Sequence, residues 1–175
     1  MKKTGVDIKD VSFGMGLDER IGGRFLRAGP AYGGSCFPKD TKALINTANK
    51  FNTDLSIVKS VVKSNEKRKL LLTQRVEKIL NKKINNKIIT FLGVTFKPNT
   101  DDMRETSSIP MMKFLSKKNC EIRYFDPSGE KKELKKIKNV KFCKNISLAC
   151  LKSDLIIIHT EWNVFKLLNF KRLVK

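Results

Sequence analysis

Short apolar segments alternate with polar segments of helical length in the second half of the sequence, and this alternation limits the possible folds most. The strand-like segments are IITFLGVTF (Ile88–Phe96), CEIRYFDP (Cys120–Pro127), NVKFC (Asn139–Cys143) and DLIIIHT (Asp154–Thr160). Strands that alternate with helices in this way predict a mainly parallel sheet flanked by helices. The first and last segments are almost entirely apolar, which predicts strands buried on both faces.

The segments between these strands have helical patterns. They read SSIPMMKFLSKKN, with Ser107 or Ser108 as a possible cap, GEKKELKKI and ISLACLKS. Residues 84–175 are therefore predicted to form one α/β domain.

The first half of the chain follows a different pattern, without strand signals. We expect a helix end over residues 6–13, a helix through KALINTANKF capped by Asp40 or Thr41, and a long helix over Leu55–Leu80. The long helix has apolar residues every three or four positions, which is typical of core or dimer packing. Residues 1–83 are thus predicted to form a helical segment that precedes the α/β domain.

Composition excludes several classes of protein. The chain has 175 residues and a net charge of +20, with 37 Lys and Arg against 17 Asp and Glu. No run approaches the roughly 18 apolar residues of a membrane span, and the first ten residues lack the apolar part of a secretory signal. Four cysteines without a CxxC pair and a single histidine do not make a zinc site. We expect a cytoplasmic protein with reduced thiols and no metal.

The strong positive charge raises the question of a nucleic-acid partner. The lysines are spread along the chain in segments such as NEKRKL and GEKKELKKIKNVK, without interleaved aromatic residues. This distribution favours a general lysine bias over base stacking. A basic nucleic-acid-associated protein stays as a distant alternative, and it predicts DNA binding with a steep salt dependence.

Glycine is concentrated just before the predicted helix KALINTANKF. Seven of the ten glycines lie between Gly14 and Gly34, which predicts tight turns and a close backbone approach to a ligand. Within this region GGSCFPKD places Cys36 near a helix start, where the helix dipole favours a thiolate. Lys39 adds a positive charge and Asp40 could accept a proton. These residues suit covalent catalysis on a carbonyl, while a half-buried structural cysteine stays the alternative; the other three cysteines are predicted core residues.

The quoted motifs resemble one enzyme family in the same order. FLRAGPAYGGSCFPKDTKAL resembles the active-site segment of the UDP-glucose branch of the UDP-glucose/GDP-mannose dehydrogenase family. GVTFKPNTDDMRETSS, the YFDP turn and HTEW are similar to further motifs of this family. The resemblance extends from about Gly5 to Phe170, and a member acting on GDP-mannose or another nucleotide sugar stays an alternative.

The resemblance implies an oxidation of UDP-glucose to UDP-glucuronate with two NAD+, through a thiohemiacetal and a thioester on Cys36. Asp40 would assist water or proton transfer, Lys39 and Arg104 would contact NAD, and Lys97 would contact the substrate. The implied UDP-sugar residues are Arg20, which would reach into the neighbouring subunit of a dimer, and Phe25, Leu26, Arg27, Ala28, Gly29 and Gly33. The implied fold is a helical central segment that forms a homodimer, followed by a Rossmann-like UDP-binding domain truncated at its C-terminus.

Several of these residues have a simpler interpretation. Lys97 and Arg104 could be surface cations, and Arg20 could be a helix-end cation. We expect Trp162 to pack within the α/β domain and His159 to be structural.

The sequence lacks the family's N-terminal NAD-binding half. The first α/β strand is followed by GVTFKPNTDD and not by G-x-G-x-x-G, the fingerprint for a dinucleotide. We therefore expect an incomplete NAD site and no turnover by this chain alone. A separate N-terminal chain could supply the missing half. A UDP-sugar-binding remnant without catalysis is the other interpretation.

Overall fold

The computed structural model describes residues 4–26 and 28–173. It divides the chain into two compact units, Met1–Pro30 and Ala31–Lys175. The predicted division after residue 83 stays a prediction.

The first unit contains one helix, α1 (Ile8–Gly16), in its described part. The Asp7 carboxylate caps it by accepting from the Lys9 N–H at 2.9 Å. The helix therefore begins and ends two to three residues later than predicted. A Cβ atom on Gly16 would lie 2.9 Å from the Gly23 Cα, so the turn after α1 folds back onto the end of the helix.

The second unit contains six helices and four strands in its described part. The helices are α2 (Phe37–Lys50), α3 (Ser56–Ile79), α4 (Ser108–Lys117), α5 (Ile146–Cys150), α6 (Asn163–Lys166) and α7 (Phe170–Leu173). The strands are β1 (Ile88–Leu92), β2 (Glu121–Phe125), β3 (Val140–Phe142) and β4 (Leu155–Ile158). The predicted long helix and all four predicted strands are present, each strand shorter than its sequence segment.

The described strands form one sheet in the order β3-β2-β1-β4. Every pairing is parallel, and Phe91 of β1 lies opposite Tyr124 of β2 and Ile157 of β4. Because β3 is followed by a crossover to the other side of β1, the strand order reverses between β1 and β4, and open α/β sheets bind ligands at such a point. The predicted α/β fold with a parallel sheet is confirmed.

The core of the second unit surrounds β1. One cluster contains Phe91, Met112, Leu115 and Ile122, all fully buried, and Val76 of α3 extends it. A smaller cluster contains Leu92, Cys150 and Phe165, with Trp162 packed against it as predicted. The indole Nε1 of Trp162 is buried without a hydrogen-bond partner among the described residues.

One predicted helix is absent. The segment GEKKELKKI forms consecutive turns, in which Leu134 donates to the carbonyl of Lys131 and Ile137 to that of Leu134. Leu134 and Ile137 are both buried, and they lie three residues apart. This spacing suits three-residue turns better than an α-helix.

The predicted burial of β4 and the predicted start of α2 are also wrong. Strand β4 was expected to be fully buried, but it lies at an edge of the described sheet, and Ile158 is 47% exposed. Helix α2 was expected to begin at Asp40 or Thr41, but it begins at Phe37. Pro38 suits the first turn of this helix, because a missing N–H costs nothing there.

Gly93 joins β1 to the following loop in a conformation that only glycine adopts easily. Its φ is +75°, its N–H donates to the carbonyl of Phe125 at 2.8 Å, and a Cβ atom would lie 2.6 Å from the Cβ of Thr160. The close contact holds the ends of β1 and β4 together at the point where the strand order reverses.

We expect Gly93→Ala to lower the free energy of unfolding by about 2 kcal/mol or more, since a left-handed residue with a Cβ costs about 1 to 2 kcal/mol even without a clash. Gly129→Ala is the matched control, because Gly129 also has a positive φ of +87° but nothing within 4 Å of an added Cβ. Chemical denaturation of both variants measures the difference. Equal losses would contradict a steric role for Gly93.

Candidate active site around Cys36

Cys36 lies at the N-terminus of α2. It occupies the N-cap position, its side chain is exposed, and its Sγ lies 3.5 Å from the Ser35 hydroxyl oxygen. The Asp40 N–H donates to the Cys36 carbonyl at 2.8 Å. The first N–H groups of a helix lack partners within the helix and carry partial positive charge, which favours a nearby anion. Because α2 begins earlier than expected, Cys36 is closer to these groups than the sequence indicated.

The two glycines before Ser35 allow the cysteine loop to lie directly on a second loop. A Cβ on Gly33 would be 2.8 Å from the carbonyl oxygen of Glu105, and one on Gly34 would be 2.8 Å from the ring of Phe96. The Gly34 N–H also donates to the carbonyl of Arg104 at 2.8 Å. Any side chain at these positions would separate the two loops.

Asn65 of α3 holds the other end of the cysteine loop. Its amide oxygen accepts from the Tyr32 N–H at 2.9 Å, and its amide nitrogen donates to the Tyr32 carbonyl at 3.1 Å. The Tyr32 ring meets Phe37 edge-on, with centroids 4.8 Å apart. The loop is therefore held at both ends around Cys36.

Lys39 and Asp40 follow Cys36 in the first turn of α2. They form an ion pair of 3.2 Å, with side chains 74% and 64% exposed. Such an exposed pair contributes little to stability. Because both side chains are exposed, both groups are accessible to a ligand beside Cys36.

Arg104 and Lys97 lie in the second loop, which joins β1 to α4 (Gly93–Ser107, the β1–α4 loop). The Arg104 guanidinium donates twice to Asp102, at 2.9 Å each, and this hydrogen bonding lowers the pKa of Asp102. The pKa of Arg104 is raised, chiefly by its hydrogen bonds to Asp102. The Lys97 ammonium lies 5.3 Å from the centroid of the Phe96 ring.

A pocket of about 420 Å³ opens between the cysteine loop and the β1–α4 loop. Lys39, Lys42 and Arg104 line it together with the Glu105 carboxylate, so cations outnumber anions three to one. The pocket therefore suits an anionic ligand near Ser35, the residue before Cys36.

Glu105 connects the β1–α4 loop to two helices. Its carboxylate pairs with Lys42 of α2 at 3.3 Å and with Lys69 of α3 at 2.8 Å. These hydrogen bonds, that from Lys69 first, lower the pKa of Glu105. Burial alone would lower the pKa of Lys69, but its hydrogen bonds to Glu105 and Glu66 outweigh burial and raise it.

The sequence interpretation did not identify Asn65 or Lys69, although the sequence contains a signal for both. The buried side of α3 consists of Asn65, Lys69, Thr73 and Val76, so three polar residues occupy positions in the helical repeat of an apolar stripe. Polar residues at core positions of a helix indicate specific partners, and the partners of Asn65 and Lys69, which are Tyr32 and Glu105, belong to the site.

Buried polar groups hold the backbone of the β1–α4 loop. Asp126, after β2, accepts from the Val94 N–H at 2.8 Å. The Val94 carbonyl accepts from the hydroxyls of Thr106 and Ser108, at 2.8 and 2.6 Å. The Thr160 hydroxyl, after β4, donates to the carbonyl of Thr95 at 2.6 Å. This irregular segment is thus fixed in place although it is neither helix nor strand.

His159 belongs to the same buried network. Its Nε2 lies 2.8 Å from the Ser107 hydroxyl and its Nδ1 lies 3.2 Å from the Thr160 hydroxyl. Ser107 occupies the predicted N-cap position of α4, but its hydroxyl pairs with His159 and makes no capping bond. Burial lowers the pKa of His159 to about 4. The histidine is neutral and joins the end of β4 to the start of α4, in agreement with the predicted structural role.

The remaining cysteines do not contribute to the site. Cys120, Cys143 and Cys150 are buried, as predicted for core residues. Burial raises the pKa of each thiol, that of Cys150 to about 11.

Six further predicted residues lie between positions 20 and 29, in the first compact unit. The Arg20 guanidinium pairs with Asp18 at 2.6 Å, and its side chain is 88% exposed. Phe25 is 90% exposed, Leu26 is half-buried, and Ala28 and Gly29 are exposed. Arg27 lies outside the described residues. The binding roles of all these residues stay predictions.

The described residues contain neither a candidate metal cluster nor a candidate membrane-spanning helix. Among residues 4–26 and 28–173, no group of three or more metal-ligating side chains could hold an ion. Within the same ranges, no helix is both long enough and apolar enough to span a bilayer.

Comparison with family models identifies both halves of the chain. Residues 1–67 match the central domain of the UDP-glucose/GDP-mannose dehydrogenase family, and residues 90–175 match its UDP-binding domain. The chain belongs to this family. The match agrees with the prediction of a C-terminal part of such an enzyme, a member of a family of NAD-dependent oxidoreductases.

Individual relatives agree with the family assignment. A UDP-glucose 6-dehydrogenase of Rhizobium meliloti is 41% identical over 172 residues, which cover 98% of this chain and 39% of the relative. One of Bacillus subtilis is 43% identical over 166 residues, covering 92% and 37%. The UDP-glucose dehydrogenase structure from Pyrobaculum islandicum superposes with a TM-score of 0.88 at 31% identity, covering 96% and 39%. The chain thus spans about 40% of the length of these relatives.

We expect acid to destabilise the protein partly through His159. The unfolded state protonates this histidine below pH 6.5, while the folded state keeps it neutral down to about pH 4. The contribution of His159 to the free energy of unfolding is therefore fully present above pH 6.5. It is lost as the pH falls towards 4, by up to about 3 kcal/mol.

His159→Gln keeps a polar group near Ser107 but does not titrate. Urea unfolding of both proteins between pH 7 and pH 4 measures the difference, and because the chain has a single histidine, the change in that difference belongs to His159. Parallel curves for the two proteins would contradict a buried neutral histidine.

Proposed function

We propose that this chain provides the cysteine loop and the nucleotide-sugar-binding part of an NAD-dependent UDP-glucose 6-dehydrogenase. The observation that carries the proposal is the position of Cys36 at the N-terminus of α2, beside a pocket with three cations. The relatives at about 41% identity that are named UDP-glucose 6-dehydrogenases support this substrate.

In this proposal the sulfur of Cys36 forms the covalent intermediates. The thiolate adds to the C6 aldehyde of the sugar and gives a thiohemiacetal, which on oxidation becomes a thioester. Water then cleaves the thioester to release the carboxylate and the thiol, with Asp40 accepting a proton from the water. The exposure of Cys36 and Asp40 supports these roles, because both groups can reach a bound sugar.

The cations around the pocket fit part of the cofactor. Lys39 and Arg104 would contact the phosphates of NAD, since both line the pocket and carry exposed side chains. NAD+ would supply the acceptor for each of the two hydrides. The dinucleotide fingerprint is not among the motifs of this sequence, so these residues account for only a part of the cofactor site.

The remaining residues would hold the UDP-sugar. We assign Lys97 to the substrate, with Gly33 of the cysteine loop and with Arg20, Phe25, Leu26, Arg27, Ala28 and Gly29. The exposed ammonium of Lys97 supports this assignment, because it belongs to a loop that is otherwise fixed by buried hydrogen bonds. A fixed loop places a cation at little entropic cost to binding.

A GDP-mannose substrate is the specific rival. A GDP-mannose dehydrogenase structure from Pseudomonas aeruginosa superposes with a TM-score of 0.68 at 25% identity, covering 94% of this chain and 39% of that one. Both values are lower than those for the Pyrobaculum islandicum UDP-glucose dehydrogenase, which favours UDP-glucose.

We expect UDP-glucose to bind the purified chain saturably in a calorimetric titration, and Lys97→Ala to weaken binding about tenfold, the effect of losing one charged hydrogen bond of about 1.4 kcal/mol. Lys118→Ala is the matched control, because Lys118 also stacks on a phenylalanine, Phe114, at 5.8 Å, and it should bind like the wild type. GDP-mannose should not compete.

Absence of binding by a folded sample would contradict the proposed function. Equal losses in the two lysine variants would instead indicate a general charge effect, and would remove Lys97 from the site.

We also propose that the chain forms a homodimer through its central helices. Support comes from the exposed apolar residues Ile57, Val61 and Leu71 on one side of α3, a stripe separate from the buried one. Two such stripes would cover each other in a dimer.

We expect sedimentation equilibrium to give a dimer mass for the wild type and a monomer mass for Val61→Lys. Leu148→Lys, at an exposed position of α5, should stay dimeric. A monomeric wild type would overturn this part of the proposal.

A further inference from the structure

Glu105 has an unusual backbone conformation for a residue with a large side chain. Its φ is +54°, a left-handed conformation that is unfavourable for residues with a Cβ. Such residues persist where the surrounding contacts compensate. Here the contacts are the ion pairs to Lys42 and Lys69, and they join the β1–α4 loop to α2 and α3.

Lys69 makes this connection rigid. Its side chain is only 8% exposed, and its ammonium also pairs with Glu66 at 2.9 Å. A buried ammonium needs its partners, because an unpaired buried charge is very unfavourable. The position of the Glu105 carboxylate is therefore determined by the interior of the protein.

The backbone on both sides of Glu105 contacts the cysteine loop and the cofactor cation. The carbonyl of Glu105 packs against Gly33, the carbonyl of Arg104 accepts from Gly34, and Arg104 lines the same pocket as Ser35, the residue before Cys36. A shift of Glu105 would consequently move Arg104 relative to the sulfur.

We propose that Glu105 is a positioning residue, which holds the Arg104 guanidinium at the pocket next to the cysteine loop through its ion pairs with Lys42 and Lys69. A guanidinium beside a cysteine favours the reactive thiolate. This role rests on the proposed use of Cys36 as nucleophile, although its test requires neither substrate nor cofactor.

Alkylation of Cys36 by iodoacetamide in the folded chain measures the effect, since the other three cysteines are buried. The rate is followed by mass spectrometry at one neutral pH for the wild type, Glu105→Gln, Arg104→Gln and the double variant. Thermal unfolding of each protein verifies that it is folded.

We expect Glu105→Gln to slow the alkylation by about threefold, because Arg104 then moves away from the pocket next to the cysteine loop. The direct effect of removing a negative charge has the opposite sign, since it favours the thiolate and would speed the reaction. In the Arg104→Gln background the same substitution should not slow the reaction, because no guanidinium is left to position.

An unchanged or faster reaction of Glu105→Gln would overturn the proposal. So would an equal slowing in both backgrounds, which would mean that Glu105 affects Cys36 independently of Arg104. If the Gln variant does not fold, Glu105→Asp replaces it in the same comparison, with the same expected and contradicting results. Aspartate keeps the charge but its side chain is one methylene shorter, so the carboxylate no longer reaches both lysines. A UDP-glucose titration of the wild type separately tests the proposed function, so the two proposals can fail independently.

Discussion

The rest of the structure depends on the hydrogen bonding of the β1–α4 loop. This segment leaves a fully buried strand and crosses the carboxyl edge of the sheet without regular structure, so its backbone groups need partners from side chains. Asp126 and Thr160 supply them from the ends of β2 and β4, the two strands that flank β1. Thr106 within the segment and Ser108 at the start of α4 supply the others. Four side-chain hydrogen bonds thereby hold the backbone of the loop that contributes Lys97, Arg104 and Glu105.

The helical half is connected to this loop by ion pairs as well as by the apolar cluster that Val76 extends. Lys69 occupies a core position of α3 and would be costly there without the two carboxylates that it contacts. Such an arrangement contributes less to stability than apolar residues of equal volume would. Its advantage is specificity, because the ammonium defines one position for Glu105, whereas an apolar contact would permit several.

The sequence predicted the fold and the cysteine loop well because both depend on local patterns. Continuous apolar segments define β1 and β4, and glycines before Cys36 indicate a sharp turn. The edge position of β4 and the turns over Leu134 and Ile137 were not predictable, because they depend on which neighbours each segment meets. Likewise, Glu105 is an ordinary charged residue in the sequence, and only the folded chain shows that it contacts residues 36 and 63 positions away.

Trp162 gives the α/β part of this protein a built-in optical reporter. It is the only tryptophan of the chain, and its indole N–H is enclosed next to Phe165 and Leu92 without a polar partner in the described residues. An indole in such surroundings emits at short wavelength and shifts to longer wavelength when water reaches it. Fluorescence therefore reports on the packing of the second core cluster alone, while circular dichroism reports mostly on helices α1 to α3. The two signals together reveal whether the halves of the chain unfold as one.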